Sequence, residues 1–205
     1  MTFLSFKQNL KDFIVFNLQD IRKIENRFDL RRLNEWQSKG YIKMLRKGYY
    51  VFTDIDLNES TLFLIANKLY APSYISLEMA LSHYSLIPET VYGITSVSSR
   101  KTYRFQTGHG EFIYRCVKPE LLFGYRLESY KNYSIKIAEM EKAVLDYFYL
   151  HTNIQTEGDF AGLRFNKTDF LAQVDRNKLQ NYLKAMDNKR MEKRFNKFLK
   201  YINYD

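Results

Sequence analysis

The stretch NLQDIRKIENRFDLRRLNEWQSKGYIKMLRKGYYVF, residues 17–52, decides the fold of the first part of the chain. Asn17 has the side chain of a typical helix N-cap, and apolar residues then recur at spacings of three and four. We therefore predict a helix over residues 18–28. Its apolar stripe consists of Leu18, Ile21, Ile24 and Phe28.

A second helix and a hairpin follow directly. Asp29 can cap a helix over residues 30–39, and Gly40 is suited to end it because glycine readily adopts positive φ. Residues 41–52 contain two short β-rich runs around Arg-Lys-Gly, which is a hairpin signal. The inward side of the second helix would be formed by Leu30, Leu33 and Trp36.

Elements on either side complete the pattern. Residues 3–13 have helical apolar spacing, residues 13–16 are β-rich, and the polar, acidic residues 54–60 suggest a boundary. The order helix, short strand, helix, helix, hairpin is that of a winged helix-turn-helix. We predict such a domain in residues 1–57.

The polar side of the helix over residues 30–39 predicts a DNA-reading surface. Arg, Asn and Gln are the side chains able to pair bidentately with base edges in the major groove, and basic residues at a hairpin tip can contact phosphates. The predicted helix residues are Arg31, Arg32, Asn34 and Gln37. The predicted phosphate contacts are Lys43, Arg46 and Lys47. A winged helix that binds protein and carries a solvated basic face is the alternative.

The distribution of charge supports a polyanionic partner. The formal net charge is +9. Residues 1–57 hold 11 Lys and Arg against 7 Asp and Glu, residues 58–162 hold 10 against 11, and residues 163–205 hold 11 against 5. A basic head and tail around a neutral middle fit double-stranded DNA, although basic surfaces also serve solubility.

Residues 58–205 predict a second, mixed α+β domain with a helical tail. Helices are indicated at 61–70 and 138–150, and after the cap residue Ser76. The β-rich segments are 91–98, 101–107, 111–118 and 133–137. The fold class is thus α+β, with a winged helix-turn-helix first and basic helices from about residue 163.

The last helix is strongly amphipathic. Met191, Phe195, Phe198 and Ile202 form its apolar stripe. Its basic residues lie largely off that stripe, and they are Lys189, Arg190, Lys193, Lys197 and Lys200. We expect the stripe to dock on the helix's own domain, with a partner or DNA as alternatives.

No residue pattern predicts an enzyme, a metal or a cofactor. The three histidines lack metal-ligand spacing, and the single cysteine, Cys116, lies in an apolar run where we expect it to be buried. The densest charge group is Glu139, Glu141, Lys142 and Asp146. Glu139 and Glu141 point about 200° apart on a helix, so we expect a solvated helix face here rather than a nuclease site. No signal peptide or membrane span is recognisable, which favours the cytoplasm.

Four blocks of the chain resemble a known family. They are YISLEMALSHYSLIPE (74–89), VYGITSVSSRK (91–101), FQTGHGEFIYRCVKPELLFGY (105–125) and IAEMEKAVLDYFYL (137–150). Together with LRRLNEWQSKGYIKMLRKGYYVF they resemble the AbiEi-type antitoxins, bacterial transcriptional regulators of type IV toxin–antitoxin systems. The resemblance covers nearly all of residues 1–150 and does not extend to the helical tail.

The resemblance implies a non-enzymatic function. Proteins of this type bind inverted repeats in their own promoter through a winged helix, and they counteract a nucleotidyltransferase toxin without a stable complex. Two alternatives remain open on the residues alone: a DNA-anchored nuclease or phosphotransferase, and a winged-helix adaptor that binds protein.

Overall fold

The computed structural model describes residues 1–89 and 91–203, and within them the chain folds into ten α-helices and two β-sheets. The predicted α+β class is therefore confirmed. The first six elements, here called the N-terminal unit, are α1 (Phe3–Asn9), β1 (Phe16–Asn17), α2 (Leu18–Ile24), α3 (Arg31–Ser38), β2 (Ile42–Arg46) and β3 (Tyr49–Phe52). Their strands form an antiparallel sheet in the order β1-β3-β2.

Two predicted residues, Asn17 and Gly40, mark the start of α2 and the end of α3, whereas the N-cap position of α3 is Leu30 and not the predicted Asp29. The Asn17 side chain accepts hydrogen bonds from the N–H groups of Gln19 and Asp20, and the Asp20 carboxylate accepts one from the N–H of Asn17. Such a reciprocal pair satisfies donors that the first helical turn leaves open. At the end of α3, Gly40 has φ +70°, which a residue with a side chain adopts at a cost.

An aromatic core holds the N-terminal unit together. Trp36 of α3 is buried, and its ring centroid lies 4.5 Å from that of Phe6, 5.7 Å from that of Phe28 and 5.5 Å from that of Phe3. The other buried apolar residues of this core are Leu10, Phe16, Ile21, Leu33, Ile42 and Phe52. Burial of these rings fixes α3 against the sheet and leaves the opposite side of α3 to solvent.

A larger mixed sheet organises the rest of the chain. Its elements in chain order are α4 (Glu59–Leu69), β4 (Ser73–Ile75), α5 (Leu77–His83), β5 (Gly93–Ser98), β6 (Tyr103–Thr107), β7 (Gly110–Cys116), β8 (Tyr125–Tyr130), β9 (Tyr133–Ala138) and α6 (Met140–Leu150). The strand order is β6-β7-β5-β4-β9-β8. Strands β4 and β9 run parallel, as do β5 and β7, and the other neighbours are antiparallel.

Helices cover both faces of this sheet. Successive side chains of a strand point to opposite faces. Tyr114 of β7 donates a hydrogen bond to the Ala66 carbonyl of α4, whereas Tyr74 of β4 donates one to Asp146 of α6. Through the pairing of β4, β5 and β7, Tyr74 and Tyr114 belong to opposite faces. Helix α4 therefore packs on one face, and α6 packs on the other.

The C-terminal helices extend the α6 layer. They are α7 (Glu157–Gly162), α8 (Lys167–Gln173), α9 (Arg176–Ala185) and α10 (Lys189–Tyr201). The predicted stripe of α10 is buried, with Met191, Phe195, Phe198 and Ile202 all at most 2% exposed. Phe195 and Phe198 contact Phe148 of α6, which confirms docking on the helix's own domain.

Several sequence expectations are corrected. Helices α1 and α2 end earlier than expected, because the chain turns at Leu10 and Glu25. Ser76 stands at the N-cap of α5, but its hydroxyl bonds the Asp146 carboxylate instead of the helix. Strands β4 and β8 were not predicted. Cys116 was expected to be buried and is exposed, since it is the last residue of β7 and lies beyond the buried Phe112 and Tyr114 of the same face.

Candidate nucleic-acid interface

Helix α3 presents the residues predicted to read DNA. Arg31 and Asn34 are exposed on the side opposite the buried Leu33 and Trp36. The Asp29 carboxylate accepts a hydrogen bond from the backbone N–H of Arg31 at 3.0 Å, which fixes the first turn. Within residues 1–89 and 91–203, the side chains of Arg31 and Asn34 have no hydrogen-bond or ion-pair partner. They are thus available to a ligand.

Two predicted residues of α3 lie at the border of this surface. Arg32 is half-buried, about 100° around the helix from Arg31. Gln37 is also half-buried, and its side-chain N–H donates to the Leu33 carbonyl at 3.2 Å. That bond turns the Gln37 amide toward its own helix, so in this conformation Gln37 does not project beside Asn34.

Helix α3 and the hairpin β2–β3 are held together at the helix end. The N–H of Tyr41 donates to the Trp36 carbonyl at 2.9 Å, and the hydroxyl of Thr53 donates to the Gly40 carbonyl at 2.7 Å. The hairpin is consequently fixed in direction relative to α3. The hairpin also exposes Tyr41 and Met44, which are 42% and 48% exposed. These two were not among the surface residues predicted from the sequence, because only the basic residues of the hairpin were considered. Met44 lies between the buried residues Ile42 and Leu45 of β2 but is itself exposed, and this position in the strand is the signal that could have identified it.

The three basic residues of the hairpin have three different environments. Lys47 is exposed at the tip. Lys43 is also exposed, but its side chain crosses the turn between β6 and β7, where a Cβ at Gly108 would lie only 2.6 Å from Lys43 Nζ. Beside it, burial and then the Lys43 charge lower the pKa of His109. Lys47 is therefore exposed at the tip, whereas the ammonium group of Lys43 lies beside the turn at Gly108.

Arg46 points away from the tip. Its guanidinium donates to the Leu69 carbonyl at 2.7 Å and lies 5.6 to 5.9 Å from four aromatic ring centroids. These rings belong to Tyr49, Tyr70, Tyr103 and Phe105. Arg46 was predicted to hold phosphate. In this structure it instead fastens the hairpin to the rest of the chain, because three of the four rings around it lie outside the hairpin.

Three of the four residues of the charge group on α6 are buried, which corrects the expected solvated face. Lys142 and Asp146 are 0% exposed and Glu141 is 4% exposed. Lys142 Nζ bonds the Asp146 carboxylate and donates to the Tyr74 hydroxyl at 2.9 Å, and Asp146 also accepts from Tyr74 and Ser76. Tertiary partners therefore replace water around both charges.

This buried pair has little access to a substrate. Burial raises the pKa of the Asp146 carboxyl, and the neighbouring Lys142 ammonium opposes that rise. Glu139, at the start of the same helix, pairs with Lys178 at 3.1 Å and accepts a hydrogen bond from Tyr182. Glu141 accepts the N–H of Asp175 at 2.8 Å. Each carboxylate thus serves a separate packing contact, and the described residues form no open pair of carboxylates on α6.

Comparisons with known proteins add no relative. No model of a known protein family matches the sequence, and no curated protein matches it. Across residues 1–89 and 91–203, the structure gathers no group of three or more His, Cys, Asp or Glu side chains suited to a metal ion. Among the helices of the same residues, none combines the length and the apolarity needed to cross a bilayer.

Proposed function

We propose that the chain is a sequence-specific DNA-binding transcriptional regulator of the AbiEi antitoxin type, with its N-terminal unit acting as a winged helix-turn-helix. The observation that carries the proposal is the exposed side of α3. Arg31 and Asn34 project from it without protein partners among the described residues, and the aromatic core behind it keeps the helix rigid. A rigid helix with free base-pairing side chains is what major-groove reading requires.

The hairpin supports the same function as a phosphate-contacting wing. Lys43 and Lys47 are exposed on an element whose direction is fixed relative to α3. In this proposal Arg46 acts as a positioning residue, since it holds the wing against the larger sheet. Arg32 contacts the backbone at the edge of the groove, and Gln37 contributes only if its amide rotates away from Leu33.

The antitoxin part of the proposal is supported by the resemblance of residues 74–89, 91–101, 105–125 and 137–150 to AbiEi-type proteins. On this basis the protein represses its own operon and counteracts a nucleotidyltransferase toxin. Growth of bacteria that express a neighbouring nucleotidyltransferase gene, with and without this chain, tests that part. Unrelieved growth arrest would refute the antitoxin role and leave DNA binding to be judged separately.

The DNA-binding part is tested by reversing charge on α3. We expect Arg31→Glu combined with Arg32→Glu to abolish a gel shift of the DNA upstream of the gene while circular dichroism stays unchanged. The matched control is Lys101→Glu combined with Lys118→Glu, which makes the same change in net charge on exposed residues of the larger domain. Equal affinity of the α3 variant and the wild type would refute the assignment and favour the protein-binding adaptor.

A further inference from the structure

The outer face of α10 is a dense basic surface without protein partners. Five residues, here called the basic face, are exposed along this 13-residue helix: Lys189, Arg190, Lys193, Lys197 and Lys200. Within the described part of the chain, none of the five forms an ion pair or a side-chain hydrogen bond. Glu192 is the only acidic residue in the α10 sequence.

The spacing of the basic face places like charges side by side. Lys189, Lys193 and Lys197 follow one another at four-residue intervals, so each lies about 6 Å further along the helix axis on nearly the same side. Like charges at this spacing destabilise an isolated helix. Burial of Phe195 and Phe198 offsets that repulsion, and it also keeps the row of charges facing outward.

Arg194 makes the helix rigid from the inner side. Its guanidinium donates to the carbonyls of Phe148 at 2.8 Å, His151 at 2.9 Å and Ile154 at 3.2 Å, which lie at the end of α6 and just after it. Carbonyls at a helix end lack partners within the helix, so one arginine here satisfies several acceptors. The basic face is therefore preorganised rather than carried on a loose tail.

The basic face is separate from the α3 surface. Helix α10 packs on α6, in the layer that contacts Tyr74. The hairpin of the N-terminal unit packs against Tyr103 and Phe105, which pair with Tyr114 and Phe112 on the other face of the sheet. The larger sheet lies between the two basic surfaces, so they cannot contact the same stretch of a ligand.

We propose that the basic face of α10 binds the phosphate backbone of a nucleic acid, as a contact independent of α3 that does not read bases. Lysine ammonium groups act as point charges toward phosphate and lack the fork geometry of base-reading arginine. A surface of four lysines and one arginine thus fits a regularly spaced polyanion.

Two other occupants fit this face less well. An amphipathic helix binds a membrane by inserting its apolar side, but that side of α10 is buried against α6. The centre of a protein–protein interface is depleted in lysine and enriched in aromatic residues. Tyr201, 39% exposed at the last position of the helix, is the only large apolar side chain of α10 that is exposed.

The test measures binding of the full chain to a 30-base-pair duplex of scrambled sequence by fluorescence anisotropy at several salt concentrations. Lys189→Gln, Lys193→Gln and Lys197→Gln are combined in one variant. The control combines Lys101→Gln, Lys118→Gln and Lys167→Gln, which removes the same charge from other exposed positions. Circular dichroism verifies that both variants fold.

We expect the plot of log affinity against log salt for the α10 variant to be shallower by about 2.7, or 0.9 for each lost phosphate contact, which corresponds to roughly 500-fold weaker binding at about 0.1 M salt when both proteins bind alike at about 1 M. The control variant stays close to the wild type. Unchanged binding by the α10 variant overturns the proposal, and so does an equal loss in both variants, which would indicate net charge alone. The proposal would also be overturned if the wild type bound polyglutamate as tightly as the duplex and the α10 variant lost both affinities equally. That result would favour an acidic protein as the partner.

The outcome is distinguishable from that of the proposed function. The α10 variant is expected to keep the wild-type ratio of operator to scrambled affinity, whereas variants of Arg31 and Arg32 lose it. Absence of any operator preference in the wild type would refute the proposed regulator and leave the salt dependence of the α10 contact measurable.

Discussion

Replacing Asp146 with Asn is expected to destabilise the larger domain severely, because it leaves the ammonium of Lys142 buried without a counter-charge. Both side chains are 0% exposed. After the substitution, Lys142 keeps the Tyr74 hydroxyl at 2.9 Å and a neutral amide oxygen as acceptors, neither of which compensates a full charge. Breaking a buried pair by removing one partner costs about 3–5 kcal/mol.

That loss is large enough to measure by melting. For a protein of about 200 residues, 1 kcal/mol corresponds to roughly 2–4 °C, so Asp146→Asn is expected to lower Tm by about 6–20 °C. Far-UV circular dichroism follows the whole chain. Fluorescence of Trp36, the only tryptophan, follows the N-terminal unit separately.

A double variant provides the internal control. Lys142→Met alone leaves the Asp146 carboxylate without its cation, and we expect a similar loss of stability. Lys142→Met combined with Asp146→Asn removes both charges and keeps an acceptor for Tyr74 and Ser76. It is expected to be more stable than either single variant, because paired residues are not additive. Single variants that cost less than about 1 kcal/mol, or losses that add in the double variant, would refute the reasoning.

Three further predictions concern the N-terminal unit and α7. Arg46→Ala is expected to cost about 2 kcal/mol in urea unfolding, because it removes a charged hydrogen bond to Leu69 and the aromatic contacts; wild-type stability of Arg46→Lys would contradict this, because it would show that charge alone matters. Asn17→Ala is expected to cost about 1 kcal/mol and to speed hydrogen exchange of α2, and unchanged exchange would contradict the capping role. Backbone N–H groups of Gln155 and Thr156, together with the hydroxyl of Thr156, lower the pKa of Asp159. This carboxylate therefore contributes stability above its unfolded pKa, and the contribution is lost as pH falls through the folded value. Asp159→Asn is expected to flatten the acid limb of stability against pH, and an unchanged limb would contradict this.

Local signals predicted the N-terminal elements well. Asn17, Gly40 and the Arg-Lys-Gly turn act within a few residues, and the structure places caps and turns there. Local signals also located α6 and the buried stripe of α10. Strand β4 has only three residues, and β8 lies at a sheet edge with all of its side chains exposed or half-buried. Neither offers a long apolar pattern, which is why both were missed.

Environments set by distant residues were not predictable in this way. Lys142 and Asp146 are polar in sequence, and they are buried only because Tyr74 and Ser76 reach them from about seventy positions earlier. From the sequence, Arg46 is a basic residue at a hairpin tip. Only the folded chain brings Tyr103 and Phe105 beside its guanidinium. At the candidate interface, the residue types of α3 came from sequence. The hydrogen bond from the Gln37 side chain to the Leu33 carbonyl depends on the side-chain conformation, which the sequence does not reveal.

The most direct test of the central claim is the operator specificity of Asn34→Ala. Asn34 is exposed on α3, and within the described residues its side chain has no partner, so we expect the substitution to remove the proposed base contact without disturbing the core. Affinity is measured at one salt concentration for the upstream DNA and for a scrambled duplex. We expect a loss of roughly 5- to 150-fold on the upstream DNA, equal to about 1–3 kcal/mol, with little change on the scrambled duplex. Equal affinities of Asn34→Ala and wild type on both duplexes would contradict the claim that α3 reads DNA through this residue.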